Sequence, residues 1–226
     1  MQRMDAMTVE LQARRKACLI RFVAGLGVVA AIVVFGFFFV DRQIAGLLRP
    51  QYYGDPFFVA LTFIAKPLAP AAALILALIA TRNYLRGGSL TAREDEMLRL
   101  SLAIVVSAAL AVQLKILFGR AWPETWVNNN PSWFANGVYG FFPLTDSRGY
   151  ASFPSGHTTV VAALAGAVWR LWPKLRFVGV IATVLVGIGL LGATYHWFSD
   201  IVAGAVLGFV TGLAAASIGK TQPDAL

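Results

Sequence analysis

Apolar residues in this chain gather into long blocks separated by short polar stretches, and no block shows the two-residue alternation of a membrane strand. Six blocks are expected to form helices: Cys18–Val40, Phe57–Ala80, Leu98–Phe118, Thr158–Trp172, Phe177–Tyr195 and Phe198–Ile218. Crossing a bilayer takes about 20 residues of helix. The fourth block is short by that measure unless its helix begins inside the preceding Pro-Ser-Gly-His stretch. Only helices and closed barrels satisfy their backbone in lipid, so the pattern predicts an all-α bundle of six transmembrane helices with a long outer loop between the third and fourth. Residues 18–218 form this domain, between a cytoplasmic segment 1–17 and a cytoplasmic tail 219–226. The first block is read as an uncleaved anchor. It is too long for a signal peptide, and no small-residue cleavage site precedes Asp41 and Arg42.

Composition agrees with the block pattern, since 58% of the residues are hydrophobic and 13% charged, where soluble domains carry about 25% charged residues. The net charge of +8 then reads as topology rather than as a nucleic-acid surface. Lys and Arg are dense before the first block (Arg3, Arg14, Arg15, Lys16), in the second loop (Arg82, Arg86, Arg93) and in the fourth (Arg170, Lys174, Arg176), and Lys220 follows the last block. The first, third and fifth loops are poor in them. The positive-inside rule places both termini in the cytoplasm and the third and fifth loops outside, which predicts a multi-pass inner-membrane protein with an extracytoplasmic site. The charged run at 92–97 is read as a solvated cytoplasmic turn. Cys18 is the single cysteine and has no internal partner. Gly204, Gly208 and Gly212 recur every four residues, a spacing that lets helices approach closely. Packing inside the bundle is the preferred use of that stripe, with a homodimer as the other.

The third loop, about Gly119 to Pro154, carries Trp122, Trp126, Trp133, Phe134, Tyr139, Phe141 and Phe142. An interfacial belt uses such rings. A loop this long without regular structure is usually functional or disordered, and its aromatic content favours a partly helical cap.

The chemistry concentrates at the outer mouths of the blocks. The chain has two histidines, and both open apolar runs: His157 in "PSGH" and His196 in "YHWFSD". Ser155 and Gly156 before a helix offer unpaired N–H groups and the positive end of the helix dipole, an anion site suited to phosphate. Asp200 lies four residues after His196, on the same helical face, where a carboxylate holds one imidazole nitrogen protonated and leaves the other as a nucleophile. Lys115 sits near the outer end of the third block, where an intramembrane ammonium is costly and therefore a functional candidate, unless it snorkels to the headgroups. Lys66, in the outer half of the second block, is weighed the same way.

Lys115 with Pro123, then Pro154-Ser155-Gly156-His157, then His196 with Asp200 resemble, in order and spacing, the three signature motifs of the type 2 phosphatidic acid phosphatases. That superfamily shares its site with the vanadium haloperoxidases. The resemblance covers roughly residues 57 to 215. It implies a six-helix membrane fold and metal-independent hydrolysis of a lipid phosphate or diphosphate, with no cofactor. His196 would be the nucleophile that forms a phosphohistidine, and Asp200 would orient it. His157 would protonate the leaving oxygen and then activate water, while Lys115, Ser155 and the Gly156 N–H hold the phosphate. Two positions depart from the family. Trp122 and Leu190 stand where its phosphate-clamping arginines belong, and Gly189 replaces a motif serine. Arg120, then Arg148, then Lys66 are the candidate replacement cations. The partners expected are a lipid phosphate and membrane lipids, with no nucleic acid. Two other readings are carried: a phosphotransferase that passes the phosphoryl group to a lipid or sugar hydroxyl, and a silent protein that keeps the pocket without catalysis.

Overall fold

A computed structural model of the chain describes residues 2–126 and 129–218. The expected tail, with Lys220, lies outside the described residues. The first apolar block is part of a longer helical run. Helix α1 (Gln2–Phe35) passes through a π-helical turn at Gly36–Val40 straight into α2 (Asp41–Tyr52). The expected loop at Asp41 is therefore corrected, and Asp41 is buried inside the bundle. Gly36 allows this path, because a Cβ there would stand 3.1 Å from the Ser199 Cβ. Large apolar side chains along α1, such as Leu19, Phe22, Val28 and Phe35, are exposed, as a lipid-facing helix requires.

The second block is divided. Helix α3 (Pro56–Thr62), capped by the Asp55 carboxylate, is separated by a turn from α4 (Leu68–Arg86). Pro67 explains the break, since proline has no N–H to donate and pushes the residue before it out of the helical region. Lys66 is that residue.

Helix α5 (Ala92–Phe118) begins earlier than the pattern indicated. The charged run read as a solvated turn is its first turn. Thr91 and Glu94 cap each other reciprocally, and acidic groups favour the positive end of a helix. Arg99 pairs with Asp95 at 2.6 Å, and Glu96 accepts the Trp172 Nε1 proton at 3.1 Å. Gly119, left-handed at φ +55°, ends the helix.

Helix α7 starts at Gly156, within the Pro-Ser-Gly-His stretch, and ends at Leu171. Its 16 residues span about 24 Å at 1.5 Å per residue. Five helical segments among the described residues are long and apolar enough to cross a membrane, and α7 is shorter than these. The chain is a multi-pass membrane protein. Helix α7 is also the most enclosed element, lined by small buried residues such as Ala162, Ala163, Ala165 and Ala167. Helices α8 (Arg176–Gly192) and α9 (Phe198–Ser217) flank it. The glycine stripe is used here: a Cβ at Gly208 would lie 2.0 Å from the Thr159 carbonyl oxygen, and one at Gly212 2.2 Å from that of Ala163. Only bare backbone lets α7 and α9 come so close.

The long loop that follows α5 is a partly helical cap. It contains α6 (Trp133–Asn136) and a 3₁₀ turn at Arg148–Tyr150. Isolated bridges tie Arg120 to Phe141 and Ala151, and Trp122 to Ser132.

Candidate active site

Helix α5 ends, α4, α7 and α9 begin, and the long loop after α5 closes over the same end of the bundle. A cavity of about 580 Å³ opens there, lined by Lys66, Lys115, Trp122, Gly156, His157 and His196 among others. Both imidazoles line it, with ring centroids 6.4 Å apart and ring planes at 67° to each other. His157 projects from the first turn of α7, beside Gly156, whose N–H has no acceptor within its own helix.

His196 lies in the connection between α8 and α9, 4% exposed. Its Nδ1 is 3.3 Å from the Asp200 Oδ2 and 3.5 Å from the Ser152 hydroxyl. Nδ1 therefore faces protein, and Nε2 is the nitrogen left for chemistry. Burial, the largest influence, pulls His196 below the usual histidine value, and the Asp200 hydrogen bond opposes it only in part. The ring is thus neutral at neutral pH. Asp200 is fully buried and saturated. Its Oδ2 also accepts the Ser152 hydroxyl at 2.5 Å and the Trp197 N–H at 3.1 Å, and its Oδ1 accepts Arg120 Nη1 at 2.5 Å.

Two expected phosphate clamps are corrected. Arg120 does not reach the cavity. It has no exposed surface, and its Nη2 is 2.6 Å from the Asp41 Oδ2 while its Nη1 serves Asp200 and the Ser199 hydroxyl. Two carboxylates already hold its fork, so it is a poor candidate for a third anion. Arg148 is exposed, is not among the cavity-lining residues, and contributes its carbonyl, which accepts the Trp122 Nε1 proton at 2.8 Å. Ser155 caps α7: its hydroxyl oxygen accepts from the Thr158 N–H at 3.3 Å, and its own N–H donates to the Asp200 carbonyl at 3.0 Å. It is fully buried and braces the cavity from behind.

The cations that do line the cavity are lysines. Lys115 donates its Nζ proton to the Ala151 carbonyl, and that nitrogen lies 5.4 Å from the Trp122 ring. Lys66, carried by the proline break, rests its Nζ 3.6 Å above the Phe63 ring. Trp122, in the place of a motif arginine, stands 5.0 Å from the His196 ring. Leu190, in the place of the other, is buried in the core, and Gly189 lets α8 pack on α3, where a Cβ would come 2.7 Å from the Leu61 Cβ.

Sequence reasoning missed Asp41, Ser152, Ser199 and Tyr139, which surround the far side of Asp200 and Arg120. Tyr139 accepts from Arg120 Nη2 at 3.3 Å and donates to the Phe37 carbonyl at 2.5 Å. The one local signal was Asp41, a carboxylate placed directly after a long apolar block.

Comparison with known proteins places the chain in a family. The family profile described as "PAP2 superfamily" matches residues 96–223, more than half of the chain. A lipid A 1-phosphatase of Rhizobium etli is 30% identical over 128 residues, covering 54% of this chain and 52% of the relative. A PA-phosphatase related-family protein of Dictyostelium discoideum is 25% identical over 119 residues, covering 48% and 22%. The chain thus spans about half the length, or less, of these curated relatives. Among solved structures, a transmembrane PAP2-type phosphatidylglycerolphosphate phosphatase from Bacillus subtilis aligns with a TM-score of 0.52 at 18% identity, over 89% of this chain and 96% of that one. That likeness concerns the fold.

Proposed function

The chain belongs to the PAP2 superfamily, and from that premise we propose that it is a metal-independent lipid phosphatase working through a phosphohistidine at the outer face of the inner membrane. The observation that carries this reading is that the chain's two histidines line one cavity, 6.4 Å between ring centroids. The cavity that both rings line, about 580 Å³, has room for a phosphoryl group. His196 Nε2 attacks phosphorus while Asp200 holds the Nδ1 proton. The bond to the leaving oxygen breaks, and His157, which takes up a proton as the phosphate anion enters beside it, gives that proton to the oxygen. His157 then takes a proton from water as the water oxygen attacks the phosphohistidine, which frees inorganic phosphate and returns His196 to neutrality. General acid–base help of this kind is worth about 10²–10⁴-fold.

Phosphoryl transfer concentrates negative charge on the equatorial oxygens, and catalysis depends on positioning and neutralising it. Lys115 and the Gly156 N–H supply that neutralisation, with Lys66 in place of the missing guanidinium. Ser155 acts as the cap that aims the helix start. Metal independence is supported by Asp200, whose two oxygens are taken by His196, Ser152, Trp197 and Arg120. The alternation of Lys and Arg among the loops supports the outer placement. The names of the relatives favour a phosphate monoester on a lipid headgroup, such as lipid A 1-phosphate or phosphatidylglycerol phosphate.

The test is inorganic phosphate release by the purified protein from a panel of lipid phosphates in detergent micelles, with and without EDTA. Release is expected from at least one lipid, unaffected by EDTA and abolished in His196→Ala. Undiminished release in His196→Ala, or loss with EDTA that magnesium restores, would sink the mechanism.

A further inference from the structure

We infer that Asp41 and Arg120 are positioning residues for His196, so that a carboxylate on the amino-terminal helical run, outside the family-matched region 96–223, governs the reactivity of a ring in the cavity. The inference rests on the reading of His196 as nucleophile.

The chain of contacts is continuous. His196 Nδ1 meets Asp200, whose other oxygen meets Arg120 Nη1, and Arg120 Nη2 meets Asp41. Ser199 ties the far end together: its N–H donates to the Asp41 Oδ1 at 2.9 Å and its hydroxyl donates to the Asp41 Oδ2 at 2.6 Å. None of the three charged side chains has more than 1% exposure. The guanidinium is boxed by Phe37, Tyr139, Phe141 and Trp197, with ring centroids 4.9–5.7 Å from its central carbon. Burial works to lower the pKa of Arg120, and the charges of Asp200 and Asp41 together outweigh it and raise the value.

A buried ion cluster of this kind is a weak stabiliser, because desolvation offsets most of the attraction and an apolar cluster of the same volume often holds a fold equally well. Its charge count suggests another use. Two carboxylates against one guanidinium leave one negative charge over, and the group at the open end is the His196 imidazole. Paired with Arg120 alone, Asp200 would present His196 with a nearly neutral ion pair. Asp41 offsets Arg120 from the other side and restores the pull of Asp200 on the Nδ1 proton. The same surplus stabilises the ring when phosphorylation makes it cationic. The other charged or titratable groups facing His196 are Lys115 from α5 and His157 from α7, with Lys66 across the cavity from the turn before α4. All three of these groups are cations or can become cations, so the negative support comes from Asp200 and, through Arg120, from Asp41.

Asp41→Asn keeps the shape and removes the surplus charge. The expected result is a kcat lower by about tenfold or more, the scale on which losing the outer partner of an imidazole is felt, with KM for the lipid phosphate within about twofold. The two histidines also allow a readout independent of turnover. In ¹⁵N-histidine NMR of the detergent-solubilised protein, His196 should titrate at lower pH in Asp41→Asn than in the parent, while His157 moves little. Should Asp41→Asn fail to accumulate as folded protein, Arg120→Lys replaces it. Its ammonium keeps the charge but not the fork that bridges both carboxylates, and the same fall in kcat at constant KM is expected. Parent-like kcat with parent-like His196 titration in the folded variant would leave Asp41 and Arg120 a purely structural role and overturn the inference. If the parent itself releases phosphate from no lipid, the catalytic reading fails, and the His196 titration alone decides the positioning.

Discussion

In front of His196 the cavity wall carries ammonium groups on long side chains, and their partners are neutral: a carbonyl for Lys115 and a phenyl ring for Lys66. Behind it lies a guanidinium with no exposed surface, fixed by two carboxylates, two hydroxyls and a box of aromatic rings. An incoming anion displaces a carbonyl or a ring from an ammonium at small cost, so the front cations are free to follow a phosphate as its charge shifts. The rear cation cannot leave its carboxylates, since unpaired buried charges are expensive. The comparison teaches that the arginine nearest the lost motif position is committed to the buried carboxylates behind His196, while the lysines are the cations left to meet an anion in the cavity.

Exchanging the roles breaks this contrast most severely at the back. Arg120→Met leaves Asp41 and Asp200 without their cation, and breaking a buried pair costs about 3–5 kcal/mol, so thermal denaturation in detergent should show a large loss of folded protein. Lys115→Ala should leave the melting temperature near that of the parent and cut kcat by about 10²–10³-fold, the cost of one donor aimed at developing charge. A Lys115→Ala protein that unfolds but retains turnover per folded molecule would reverse the assignment.

A finer cut separates the surface cations. Lys66→Ala should lower kcat/KM about tenfold, as expected for one charge-assisted contact, measured by phosphate release. Arg148→Ala should stay within about twofold, since exposed changes away from such contacts are usually small. Equal losses at both sites would mean that general surface charge, rather than the proline-broken turn, holds the phosphate.

The smallest effect is in pH. Because burial depresses His196, the ring stays neutral, and therefore nucleophilic, to lower pH than an ordinary histidine near 6.5. As pH falls, the acid limb of kcat/KM should appear only below that value. A limb above it would require an imidazole stabilised as a cation, contrary to its buried setting.

The residue types at the mouths of the helices were legible because their chemistry is local. His157 after a Ser-Gly start, His196 four residues before Asp200, and Lys115 at the end of α5 each declare themselves within a few positions. The family motifs added the expectation that Trp122 and Leu190 fill arginine positions. The destination of Arg120 was not legible. Its partners lie 79 and 80 residues away in sequence, and nothing in the spacing of charges distinguishes a clamp from a brace. Asp41 was read as the start of a loop because a carboxylate after an apolar block usually marks water, whereas here a buried guanidinium takes the place of water. The break at Lys66 was announced by Pro67, but a hydropathy block averages over one proline. The charged run 92–97 was likewise averaged into a turn, although Thr91 and Glu94 carry the spacing of a helix cap.

The glycine stripe of α9 has a mechanical consequence. His157 is the second residue of α7, and His196 stands two residues before α9, so these two helices are the mounts of the two rings. With backbone pressed against backbone at Gly208 and Gly212, the mounts have no side-chain cushion between them that a rotamer change could thicken or thin. Bending or twisting that carries one ring carries the other. The separation of the rings is then a fixed gauge cut by the fold, and whatever the cavity holds must fit that gauge rather than reset it.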